Sequence, residues 1–278
     1  MNQVPVLQVL IPLLGAPLCA VLRQRFVAWA LFTAASVGAM ACALRMTSGV
    51  VAGEVQRYAL GGWPAPIGIE YVVDPANAPL LVLVSAIAVV VAVYARPSVE
   101  REIAPRQIPL FYSCLCLCLA GLLGVAATGD AFNAFVFLEI SSLATYALIA
   151  MGRRRRALLA AFRYLIIGTI GATFLLIGIG LAYAVTGTLN MADLAARLPD
   201  VHGNRALTAA VVFVLVGLAV KMALFPLHAW LPDAYAEAPS AVSTFLAAVS
   251  TKVALYAFAR FSFTVFGATL VFGLLPVG

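Results

Sequence analysis

Charge is what this chain has least of. Of its 278 residues only 10% are Asp, Glu, Lys or Arg, while 64% are hydrophobic; a soluble domain carries about 25% charged residues. That deficit excludes an ordinary soluble domain and leaves a polytopic membrane protein. Lysine is scarcer still, since Lys221 and Lys252 are the only two. No spacing matches a haem, flavin or iron–sulfur motif. No cofactor, metal or redox centre is expected, and neither is bond-making chemistry.

The cysteines are too few and too oddly placed for a disulfide framework. Cys114, Cys116 and Cys118 alternate within one apolar run, and Cys19 and Cys42 lie in two others. Side chains two residues apart on a helix point about 200° apart, so they do not converge on a metal. They read as small buried hydrophobes. A positive n-region ahead of the first apolar run is also missing, which makes 4–22 a first span rather than a cleaved signal peptide.

What is present is long apolar runs. A spanning helix needs about 20 mostly apolar residues. Eight stretches qualify, near 4–22, 26–47, 76–95, 108–127, 130–151, 157–186, 205–229 and 239–260, and a ninth begins near 263. The expected fold is all-α, with about 8–9 transmembrane helices. The formal charge of +6 follows their connections and does not argue for nucleic acid. Ten arginines (Arg23, Arg25, Arg96, Arg101, Arg106, Arg153, Arg154, Arg155, Arg156, Arg163) follow the first, third and fifth spans, and the opposite loops hold five. The positive-inside rule places the ten in the cytoplasm and the N-terminus outside, across a cell (inner) membrane.

Two loops carry local structure. In the segment from Arg57 to Pro79, Gly61-Gly62, Pro64 and Pro66 set turns and IGIEYVV reads as a strand, which predicts a small external hairpin. The TLNMADLAARL stretch resembles a short capped helix, and Thr128-Gly129-Asp130 forms a tight link in which Asp130 is placed to cap the fifth span.

The few charges inside the spans are the candidate site. A buried charge must be paired, hydrated or neutral, and is by default a functional hypothesis. Glu139 is the only acidic residue well inside a span, and its available partners are lysines, which lose a proton more readily than arginines. A structural ion pair is the plainer alternative. Lys221 lies five residues before Pro226, which removes a helix hydrogen bond and frees the Met222 carbonyl. His228, two turns beyond Lys221, would share its helix face at about 10 Å and titrate near neutrality. Taken alone, it reads as an ordinary core or interfacial histidine. Lys252 lies about fourteen residues into the eighth span, with Tyr256 one turn on. Asp233 and Glu237 sit in the connector between the two lysine helices. Glu237 reads as solvated loop charge, whereas Asp233, beside Trp230 and Pro232, is placed to fix the connector.

Three motifs combine these residues: F-V-F-L-E139, K221-x-x-x-F-P-L-H228-x-W-L-P-D233 and T-K252-x-x-x-Y256. With them the chain resembles the antiporter-like proton-translocating subunits shared by complex I, membrane-bound hydrogenases and Mrp-type cation/proton antiporters. TGDAFNAFVFLE, GTLNMADL and Tyr235 in PDAY look most like the D-type subunit of the Mrp antiporters. The resemblance implies a coupled Glu139–Lys221 pair, a proton path through His228, and Lys252 as the next relay. It implies residues 1–107 as N-terminal helices, 108–260 as a five-helix repeat with a proline-broken helix and an input half-channel, and 261–278 as the start of a further helix. The second repeat is expected to be absent from this chain. The implied partners are the lipid bilayer and other membrane subunits. The implied function is the proton-translocating subunit of a multi-subunit Na⁺ or K⁺/proton antiporter. The alternatives are a pumping subunit of a respiratory NADH dehydrogenase or hydrogenase, or a non-transporting scaffold.

Overall fold

The computed structural model describes residues 3–201 and 203–273. The protein is a multi-pass helical membrane protein. Among the described residues seven helices are long and apolar enough to cross a bilayer. They are α1 (Val4–Leu22), α2 (Arg25–Val51), α3 (Ala78–Glu102), α4 (Ile108–Ala127), α5 (Ala131–Ala150), α6 (Arg155–Thr186) and a helix over Ser240–Val265 that carries Lys252. A further helix, α8 (Arg205–Lys221), has only 17 residues.

That short helix departs from the expected span over 205–229. It stops at Lys221, and residues 222–230 form turns rather than a kinked continuation. Ala223 turns the chain through a left-handed conformation (φ 58°). Pro226, which lacks an amide hydrogen, lies in those turns and not inside a helix. The chain becomes helical again only at α9 (Leu231–Glu237).

The Lys252 helix is continuous but uneven. Helical segments α10 (Ser240–Phe245) and α11 (Thr251–Ala259) alternate with two wider π-helical stretches, Leu246–Ser250 and Arg260–Val265. A short α12 (Ala268–Gly273) follows. The expectation for residues 274–278 lies outside the described residues.

Helix α4 forms the centre of the bundle, with Leu115, Cys116, Cys118 and Leu119 fully buried. Lipid tails are as apolar as leucine, so such helices associate through close packing of small residues and polar contacts. A Cβ on Gly121 would approach the Phe137 carbonyl of α5 to 2.7 Å. One on Gly217 of α8 would meet the Gly171 carbonyl of α6 at the same distance. The α6–α8 contact therefore requires glycine, and it carries Lys221 at its end.

One end of the bundle is closed by a two-stranded antiparallel hairpin, β1 (Gln56–Ala59) and β2 (Glu70–Val73), with Gln56 opposite Val73. Gly129 N donates to Glu70 O (2.9 Å) and Met191 N to Gly129 O (2.8 Å). These bonds join the hairpin, the tight 128–130 link and α7 (Met191–Arg197) into one cap. Asp130 accepts from the Asn133 amide at the start of α5, and Asn190 accepts from Ala192 and Asp193 at the start of α7. Burial pushes the Asp130 carboxyl above its ordinary value, partly offset by amide contacts at the start of α5. The runs Arg23–Arg25 and Arg153–Arg156 lie at the opposite, arginine-rich end of the bundle.

Candidate functional site

Glu139 lies near the middle of α5, and Lys221 is the last residue of α8. The Lys221 ammonium donates to Glu139 Oε1 and to Ser142 Oγ, each at 2.8 Å. Glu139 and Ser142 are three residues apart, so they share one face of α5. The pair is asymmetric: the lysine side chain is 3% exposed and the carboxylate 22%. Placing the ammonium at a helix C-terminus also favours its charge, because the partial negative charge of the last carbonyls gathers there.

One of those carbonyls is met from outside the helix. Trp230 Nε1 donates to Val220 O (3.1 Å). The Trp230 ring stacks on Tyr164 of α6 at 3.9 Å and 2°, and Tyr164 meets Tyr146 of α5 edge-on at 4.6 Å. This aromatic column ties the non-helical segment after Lys221 to the helix that bears Glu139. A Cβ on Gly168 would come within 2.0 Å of the Tyr146 hydroxyl, so that glycine makes room for the ring.

The other expected residues are dispersed. His228 lies in the turns after α8, so it is not two helical turns above Lys221. Its ring packs 5.5 Å from Phe225, and its Nδ1 is buried with no hydrogen-bond partner among the described residues. Pro226 is exposed in the same turns. Asp233 forms a surface ion pair with Arg163 (2.7 Å), which fastens the connector to α6. Lys252 is exposed, and its ammonium donates to the Ala247 carbonyl in the first π-helical stretch. Among the described residues no carboxylate lies within ion-pair distance of it. Tyr256 is half-buried, with the Arg260 guanidinium 5.9 Å from its ring centre.

Ser142, Tyr146 and Tyr164 did not stand out in the sequence. Ser142 was legible, since a hydroxyl three residues after a buried carboxylate shares its face. Nothing in the spacing of Tyr146, Tyr164 and Trp230 announces their stack, because it joins three separate elements.

The comparisons agree with the helical membrane fold. A family profile described as NADH:quinone oxidoreductase/Mrp antiporter, TM, matches residues 128–273. The N-type subunit of NADH-quinone oxidoreductase from Desulforudis audaxviator is 49% identical over 92% of this chain and 51% of that protein. The D-type subunit of the Na⁺/H⁺ antiporter from Bacillus subtilis is 35% identical over 94% of this chain and 52% of that protein. Among solved structures, a chain of an archaeal membrane-bound sulfane sulfur reductase superposes with a TM-score of 0.87 at 32% identity, covering 94% of this chain and 53% of its own. A chain of the Mrp complex from Dietzia sp. gives 0.85 at 30% identity, covering 96% and 50%. The solved relatives are chains of multi-subunit membrane complexes. The chain spans about half the length of the curated relatives it matches.

Proposed function

The chain belongs to the NADH:quinone oxidoreductase/Mrp antiporter transmembrane family, and from that premise we propose that it is a proton-translocating subunit of a multi-subunit Na⁺ or K⁺/proton antiporter. The observation that carries this reading is the buried Lys221 ammonium held between Glu139 and Ser142. While Glu139 is in contact, the charged lysine is stabilised. When Glu139 withdraws, a desolvated ammonium without a counter-charge gives up its proton. Moving one charge against 100 mV costs about 2.3 kcal/mol, within what making or breaking one buried pair supplies. His228, with its unpartnered Nδ1, and the exposed Lys252 are proposed as stations on either side of this switch. Residues 108–260 are proposed as one five-helix half-channel, with the N-terminus and hairpin on the outer face of the cell membrane and other membrane subunits alongside.

A second reading is favoured by the 49% identity to a protein named for NADH-quinone oxidoreductase. In that case redox energy from partner subunits drives the same pair. One experiment separates the readings. Lys221→Ala is introduced into the assembled complex, and proton movement in membrane vesicles is driven either by a Na⁺ or K⁺ gradient or by NADH. Loss of the cation-driven signal supports the antiporter, and loss of the NADH-driven signal supports the pump. Unchanged transport in both would overturn the relay and leave a scaffold.

A further inference from the structure

Both ends of the Lys252 helix are gripped by carboxylates, one at the last residue of α3 and the other in the turn that leads into α3. At the arginine-rich end Glu102, the last residue of α3, accepts a hydrogen bond from the Ser240 amide (2.7 Å), where the Lys252 helix begins. Its other oxygen accepts from Ser98 Oγ (2.6 Å), so the carboxylate is itself oriented. Amides in a first helical turn have no intrahelical acceptor and favour an anion. At the hairpin end Asp74, just ahead of α3, pairs through Oδ2 with Arg260. Asp74 Oδ1 accepts from the amides of Ala76 (3.0 Å) and Asn77 (3.1 Å). Asn77 in turn donates to Val72 O and Ala126 O at 2.7 and 2.9 Å, which anchors the grip to β2 and α4. The Arg260 and Asp74 side chains are only 15% and 17% exposed. Between the grips α3 packs against α10 and the first π-helical stretch.

The geometry matters because Lys252 lies just past that wider stretch and bonds to a carbonyl inside it. A π-helical turn holds one extra residue, and moving that residue along a helix rotates the intervening side chains by about 100°. A helix free at one end relaxes such a turn by rotating as a whole. Held at both ends, it keeps the wide turn between its fixed points. We propose that α3 is a strut, and that Asp74 and Glu102 are positioning residues that set the direction of the Lys252 ammonium. The functional consequence rests on the reading of Lys252 as a relay residue.

The test uses the complete gene product with its partner subunits in membrane vesicles. Glu102→Gln and Asp74→Asn each lower proton transport per assembled complex by about tenfold, and together by little more than either alone, because one released end already frees the helix. Arg260→Gln, which removes the same ion pair from the other side, lowers transport as far as Asp74→Asn does, and the two together by little more than either alone. Independently of transport, a thiol introduced by Lys252→Cys reports orientation. Its rate of modification by a water-soluble thiol reagent, measured over the chain's own five cysteines, changes at least about fivefold when Asp74→Asn or Glu102→Gln is added. An unchanged rate overturns the strut, as does an Arg260→Gln variant that assembles and transports like the parent. Normal transport by Lys252→Ala overturns the relay role of Lys252 alone, and the modification rates still decide the strut.

Discussion

Lys221 and Lys252 are the same residue type in neighbouring apolar spans, and the fold treats them oppositely. Lys221 is buried at a helix end, paired with a carboxylate and a hydroxyl from another helix. Lys252 is exposed in mid-helix and, among the described residues, bonds only to a carbonyl of its own chain segment. A lysine in an apolar run is therefore not one kind of site. Where the helix stops, the ammonium gains the helix terminus and a partner helix. Where the helix continues, a local widening of the backbone supplies the acceptor. The first arrangement suits a switch whose two states differ by one contact, and the second suits a group whose direction depends on the helix that carries it.

The contrast predicts a graded set of effects. Glu139→Ala strands a buried ammonium and is expected to be the most destabilising, by about 3–5 kcal/mol, read as a large fall in the thermal unfolding midpoint in detergent. Lys221→Ala costs less, because the carboxylate it leaves behind is partly exposed; equal losses would remove the asymmetry claimed for the pair. Gly217→Leu forces side-chain atoms against the Gly171 carbonyl and should cost about 1–3 kcal/mol by overpacking. Vesicle assays should show its transport falling with that of Lys221→Ala, since both disturb the same helix end. Trp230→Phe keeps the stack but loses the bond to Val220 O, at about 1 kcal/mol, measurable as a small shift in denaturation midpoint. Smallest is Asp233→Asn, which removes an ion pair whose side chains are 56% and 48% exposed; exposed pairs are worth about 0–1 kcal/mol. A Lys252→Ala loss of stability as large as that of Glu139→Ala would break the comparison outright.

Much of this was legible beforehand. The long apolar runs, the hairpin, the Asp130 cap and the Asn190-capped short helix all follow from local rules, because hydropathy, turn chemistry and capping act over a few residues. Glu139 and Lys221 stood out by charge alone, and the structure brings them into contact. The seventh span misled. A proline within an apolar run suggests a kink, and extending the helix through it puts His228 two turns beyond Lys221. Instead the chain leaves the helix at Lys221 and turns through Ala223, so helical spacing no longer relates Lys221 to His228. The aromatic column was invisible for a different reason, since its three rings lie on three separate elements and meet only when these pack.

Hydropathy and charge along the chain are enough to make this a membrane protein, to locate most spans, and to single out the few charges costly enough to matter. Those conclusions depend on composition and on periods of a few residues. Helix packing sets which charge meets which partner. It put Lys221 against Glu139, left Lys252 on its own backbone, and drew Asp74 and Glu102 from the two ends of α3 to the two ends of one helix. Such pairings depend on how close helices approach, which glycine contacts such as Gly171 against Gly217 set, and an apolar pattern does not encode that distance.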